Sequence, residues 1–137
     1  MASDIETGEQ LQIRYNSDGL VPAIAQDATD GQILMVAWMN EQAFRQTLSS
    51  GKATFWSRSR GKLWCKGEES GHTLNVKQLL VDCDQDVLLL KCDLAAESGA
   101  CHVGYRSCFY REVRDEQKIG FIAKPVFDPK QVYRSKS

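Results

Sequence analysis

Three clusters of side chains in this 137-residue chain have the types and spacing to do chemistry. The first is Asp82-Cys83-Asp84-Gln85-Asp86. In an extended strand, side chains alternate between faces. Asp82 and Asp84 then share one face, Cys83 points to the other, and Asp86 rejoins the carboxylates beyond a turn. Carboxylates packed this closely repel one another and raise a pKa unless a cation lies between them. An all-oxygen set suits a hard cation such as Mg²⁺. The same residues also fit a solvated acidic turn between two strands. They do not fit an EF-hand, whose glycine and closing glutamate are missing here.

The second cluster is Cys101-His102-Val103-Gly104-Tyr105-Arg106-Ser107-Cys108. Two thiols and an imidazole on a glycine-interrupted loop are able to bind zinc, although the spacing is not that of a Cys-x-x-Cys knuckle. With Cys83 they make a set of three thiols and leave a fourth position open. Three protein ligands plus water is the arrangement of catalytic zinc, which lowers the pKa of its water to about 7. His102 is then free to act as general base, because an imidazole titrates near neutrality. Buried cysteines and a surface histidine remain the plainer alternative. Cys65 and Cys92 lack such company and read as packing residues.

The third cluster runs from Arg58 to Glu68, where Arg58, Arg60, Lys62 and Lys66 surround Trp64. Guanidinium forks match phosphate oxygens, and an indole face stacks on a heterocyclic base. A basic hairpin loop with Trp64 in the core is the alternative. His72, after Ser70-Gly71, reads as a ligand or as a turn residue, and nothing local decides.

The elements that position these clusters are short. Leu11, Ile13 and Tyr15 alternate with polar residues as in a half-buried strand. Val21 to Ala25 and Ile33 to Trp38 read as a hairpin around a turn ending in Asp30-Gly31. Asn40 is a helix N-cap, Met39 and Phe44 are its staple, and Gly51 is its left-handed stop. Thr54 to Trp56, Leu74 to Cys83, Val87 to Cys92 and Phe109 to Val113 read as strands, with Asp84-Gln85 a tight connection. Residues 1–9 and the charged tail from Asp115 receive no element and are expected to be less ordered, around a core of about residues 11–113. The fold class is α+β, mostly short antiparallel strands with one or two short helices, in a single domain spanning 1–137.

Composition excludes several classes. Seventeen Lys+Arg against 18 Asp+Glu give a net charge of -1, so no nucleic-acid partner is expected. No apolar run approaches the roughly 20 residues of a membrane helix, and the acidic start of the chain does not read as a secretory signal. Five cysteines, an odd number, do not form a complete internal disulfide framework. A cytoplasmic location, with reduced thiols, is the expectation.

The motifs, taken together and in order, closely resemble the phosphoribosyl-AMP cyclohydrolase family of histidine biosynthesis. The matching segments are Met39-Asn40, Ser57-Arg58-Ser59-Arg60, Leu63-Trp64 with Lys66-Gly67-Glu68 and Ser70-Gly71-His72, Asp82 to Asp86, and Ala100-Cys101-His102 with Ser107-Cys108-Phe109. The resemblance implies an intertwined homodimer with one Zn²⁺ per subunit. Cys83 of one subunit would bind it with Cys101 and Cys108 of the other. It implies Mg²⁺ on Asp82, Asp84 and Asp86, His102 as general base, and substrate contacts from Arg58, Arg60, Trp64, Lys66, Glu68 and His72. The implied reaction is the third step of the pathway. Zinc-activated water adds at C6 of the purine of phosphoribosyl-AMP and the N1–C6 bond opens. The product is an imidazole carboxamide with a formimino-linked phosphoribosyl group. Ser98-Gly99 stands where a glycine-proline is usual in the family, and the chain beyond Val113 is too short for the pyrophosphohydrolase domain of bifunctional relatives.

Two other readings compete. One is a non-enzymatic nucleotide-binding module in which zinc only staples a dimer. The other is a purine deaminase, which lacks support because the His-x-Glu and Pro-Cys-x-x-Cys signatures are absent.

Overall fold

Alternation of small and branched side chains in Val21–Asp27 (β1) sets the centre of the fold. Val21, Ala23, Ala25 and Asp27 are buried, while the residues between them are half-buried. The computed structural model describes residues 2–95 and 98–134. Strand β1 pairs antiparallel with Ile33–Met39 (β2) and parallel with Leu88–Asp93 (β6). Thr54–Ser57 (β3) and Lys62–Cys65 (β4) extend the sheet beyond β2, and Asn75–Val81 (β5) flanks β6. The order is β4-β3-β2-β1-β6-β5. Arg111–Val113 (β7) and Ile119–Phe121 (β8) form a separate two-stranded hairpin.

The helix Glu41–Ser50 (α2) begins and ends where local chemistry dictates. Asn40 Oδ1 accepts from Ala43 N at 2.8 Å, and Gly51, with φ 75°, ends the helix in the left-handed region. Ala43, Phe44 and Thr47 are buried against β2 and β3. Thr47 Oγ1 accepts from Thr54 N at 3.0 Å, which fixes the start of β3 to the helix. The core joins these residues to Leu34, Met39, Phe55, Leu74, Leu88 and Leu90. Cys92 lies in it too, fully buried, in keeping with its reading as a packing residue.

Several expectations are corrected. Leu11, Ile13 and Tyr15 form no strand, because the N–H groups of Gln12 and Arg14 bond to Gln85 and not to a ladder. The pairing is mostly antiparallel, as expected, with β1 and β6 the parallel exception. Three short helices are present among the described residues: α2, Ala2–Thr7 (α1) and Pro129–Arg134 (α3). Both terminal segments thus hold regular structure, and β8 lies in the stretch beyond Asp115. No described helix is long and apolar enough to cross a membrane.

Candidate functional site

The acidic cluster sits in the connection between β5 and β6. The chain leaves the extended conformation after Val81, so strand alternation is not what gathers the carboxylates. A tight turn does so. Gln85 N donates to Asp82 O at 3.0 Å, and Asp82 Oδ1 accepts from Asp86 N at 3.0 Å and Val87 N at 3.1 Å. Carboxylate oxygens of Asp82, Asp84 and Asp86 lie within 4.8 Å of one another. Burial pushes the Asp82 carboxyl up, but the two N–H donors outweigh it and hold it below the ordinary value. Asp86 is pushed up to about 6, first by its hydrogen bond with Asp84 and then by partial burial and Asp82. The two shifts run in opposite senses, as expected where like-charged groups crowd one turn.

The cysteine loop hangs from the other side of the β1–β2 hairpin. The β1–β2 register slips between Ala25 and Gln26, leaving Leu34 outside the ladder. Its carbonyl accepts instead from Cys108 N at 2.7 Å. Beside it, Ser107 Oγ donates to Ile33 O at 2.6 Å. At the other end of the loop, Ala100 N donates to Arg106 O at 2.9 Å and Cys101 N to Tyr105 O at 3.1 Å. Arg106 reaches back under the loop to the carbonyls of Leu94, Ala95 and Ser98 and pairs with the buried Asp27 carboxylate. The thiols of Cys101 and Cys108 lie close enough to influence each other's ionisation. Cys108 is exposed as a residue, yet its thiol is desolvated enough to rise to about 12, and Cys101 adds to the shift. Burial lowers the pKa of the Lys66 ammonium, while its proximity to Cys108 and Cys101 acts in the opposite sense.

A cavity of about 240 Å³ opens beside this loop. It unites Arg60, Trp64, Lys66, Glu68 and His102, five of the residues singled out in the sequence. Strand β4 presents Trp64, whose ring packs 5.1 Å from that of Phe55. The turns after β4 carry Lys66 and Glu68, with Lys66 N held by Ala53 O at 3.0 Å. Two sequence candidates lie elsewhere. Arg58 stacks over Trp38 at 4.9 Å. His72 Nδ1 lies 3.1 Å from Gly99 O and 3.3 Å from Gly99 N, and its ring meets Phe127 edge-on. His72 therefore braces the base of the cysteine loop and does not line the cavity.

Cys83 does not join Cys101 and Cys108. Among the described residues, the only trio of metal-capable side chains with ligand atoms within 4.8 Å is Asp82, Asp84 and Asp86. The oxygen trio fits a hard cation, and the thiol pair fits a soft one with part of its coordination still to be supplied. Sequence reasoning missed Gln85, Arg106 and Phe127. Their roles depend on partners far away in the chain, so no local signal marks them.

Comparison with known proteins fits this arrangement. The pattern of the family described as phosphoribosyl-AMP cyclohydrolase matches residues 35–110. A protein of that name from Chlorobium limicola is 46% identical over 134 residues, covering 98% of this chain and 96% of the relative. Its namesake from Methanothermobacter thermautotrophicus is 54% identical over 126 residues, covering 90% of each. That of Nitratidesulfovibrio vulgaris is 54% identical over 118 residues, covering 85% of this chain and 90% of the relative. With such matches along nearly its whole length, the chain is an enzyme of the hydrolase class. It belongs to the phosphoribosyl-AMP cyclohydrolase family.

Proposed function

We propose that the protein opens the adenine ring of phosphoribosyl-AMP by adding water at C6 and breaking the N1–C6 bond, as a step of histidine biosynthesis. The observation that carries this reading is the cavity joining Arg60, Trp64, Lys66, Glu68 and His102 beside the Cys101–Cys108 thiol pair. Trp64 offers a face on which a purine stacks. Arg60 and Lys66 offer cations for phosphate oxygens, and Glu68 an acceptor for ribose hydroxyls. His102, exposed at the cavity wall, takes a proton from the attacking water and returns it to the departing ring nitrogen.

Zinc is the ion suited to the thiols, and when bound it supplies a Lewis acid that makes water nucleophilic near pH 7. Cys101 and Cys108 would hold it with Cys83 of a second copy, in a homodimer. The exposure of Cys83 and Cys108 and the open apolar surface of the β7–β8 hairpin support that reading. Lys66 favours the deprotonated thiols by proximity. Asp82, Asp84 and Asp86 would hold Mg²⁺, placing a cation to share the charge of a two-phosphate substrate. Five free cysteines suit a reducing, cytoplasmic setting.

The test follows the ultraviolet absorbance of phosphoribosyl-AMP with and without a chelator. Turnover is expected in the untreated enzyme and lost on chelation. Cys101→Ala and Cys108→Ala are each expected to lose both bound zinc and turnover. A variant that keeps both removes its thiol from the ligand set, and failure of the untreated enzyme to alter the absorbance overturns the reaction.

A further inference from the structure

Gln85 is the one non-glycine described residue with positive φ, at 60°. It is also buried, at 5% exposure, although it stands between two exposed or half-exposed aspartates of the acidic turn. A glutamine side chain offers two N–H donors and an acceptor oxygen, and here every one has a partner. Nε2 donates to Ile5 O at 3.1 Å and to Gln10 O at 3.3 Å, and Oε1 accepts from Gln12 N at 2.7 Å. Its own carbonyl accepts from Arg14 N at 2.7 Å. These partners are all main-chain groups of residues 5–14, and that segment has no sheet ladder of its own. The left-handed backbone disfavours a side chain this long unless the surroundings reward it.

We propose that Gln85 is a positioning residue that splints the Asp82–Asp86 turn to the N-terminal segment. Through these four hydrogen bonds the segment holds the turn in the conformation that brings the three carboxylates together. The segment itself lies outside the region matched by the family pattern, so the splint adds a second part of the chain to the site. Its effect on metal affinity rests on the magnesium reading given above, whereas its effect on the turn does not.

The test uses the full chain, with Mn²⁺ as a paramagnetic probe in place of Mg²⁺, and amide exchange read by NMR. Gln85→Met keeps length and removes every side-chain hydrogen bond. Gln12→Pro deletes the N–H from which Oε1 accepts and leaves Gln85 itself in place, in an exposed position, and serves if Gln85→Met does not fold. Gln85→Met is expected to weaken Mn²⁺ binding about 10-fold. Gln12→Pro should weaken it in the same direction, and the double variant no further than Gln85→Met alone. Exchange of the Asp86 and Val87 amides should speed up together with that of Arg14. If those turn amides and the Mn²⁺ affinity stay as in the parent while Arg14 loses protection, the splint is overturned. If the parent shows no Mn²⁺ broadening at Asp82–Asp86, the magnesium reading falls. The exchange rates then decide alone, and unchanged turn amides overturn the splint.

Discussion

Arg106 joins the carbonyls of Leu94, Ala95 and Ser98, which precede it closely, to the carboxylate of Asp27, 79 residues away. Nothing near Arg106 in the sequence announces this, so a residue inside a recognisable cysteine motif passed as a bystander. Asp27 is 4% exposed, and removing its partner leaves a charge with little water to solvate it. Arg106→Leu should therefore destabilise the protein by about 3 kcal/mol, measured by urea unfolding at neutral pH; a change below about 1 kcal/mol would show the pair to be dispensable. A pH signature accompanies it. Burial raises the Asp27 pKa, but the hydrogen bonds from Arg106 and from the Thr29 amide outweigh it and leave the folded value depressed. A depressed carboxyl contributes stability above its unfolded pKa of about 3.9. That contribution is lost as pH falls through the folded value. Asp27→Asn should lower stability at pH 7 and flatten the acid limb of the unfolding profile below about pH 4; an acid limb as steep as the parent's would assign it to other carboxylates.

At the scale of elements, what was legible was local. The α2 helix could be read with its cap, staple and stop because each signal lies within a turn of the residue it serves. The β1–β2 hairpin was legible from two apolar runs around Asp30-Gly31. The parallel β1–β6 pair was not, because it joins segments about 60 residues apart and neither strand's pattern names its neighbour. Leu11 to Tyr15 misled for the same reason: alternation was present, but Gln85 captured the backbone donors. Asn40→Ala should cost about 1 kcal/mol in thermal or urea unfolding and leave turnover intact, whereas a loss of turnover would tie the cap to the site. Gly104→Ala should act on the site as well as on stability. Its φ is 112°, and an added Cβ would meet Phe127 O at 2.6 Å. The loop must shift to accept it, so zinc content measured by atomic emission should drop; a fully loaded Gly104→Ala enzyme would show that the loop tolerates the shift.

At the scale of the molecule, the β7–β8 hairpin and its flanks expose Phe109 at 56%, Val113 at 74%, Phe121 at 65% and Ile122 at 60%. Exposed apolar side chains gathered on one hairpin and its flanks support the homodimer proposed above. On the homodimer proposed above, Phe121→Asp should shift the sedimentation mass from about twice that of the chain toward once, and zinc content should fall with it. Monomers that keep zinc and full turnover would rule out a shared thiol site. The candidate site was legible to the extent that its donors are chemically distinctive. The separation of Cys83 from the Cys101–Cys108 loop within one chain was implied by the family resemblance alone, because sequence spacing carries no measure of that gap. The contact of Phe127 with His72 bears on handling the protein. Ten residues follow Phe127 in the sequence, a length that spans at most about 35 Å fully extended. A polyhistidine purification tag appended there would be tethered within reach of the His72–Phe127 contact and would compete for any soft metal ion that the thiols hold. Residues 5–14 likewise lie beside the acidic turn, held there by Gln85. Metal stoichiometry should accordingly be measured on protein from which any such tag has been cleaved.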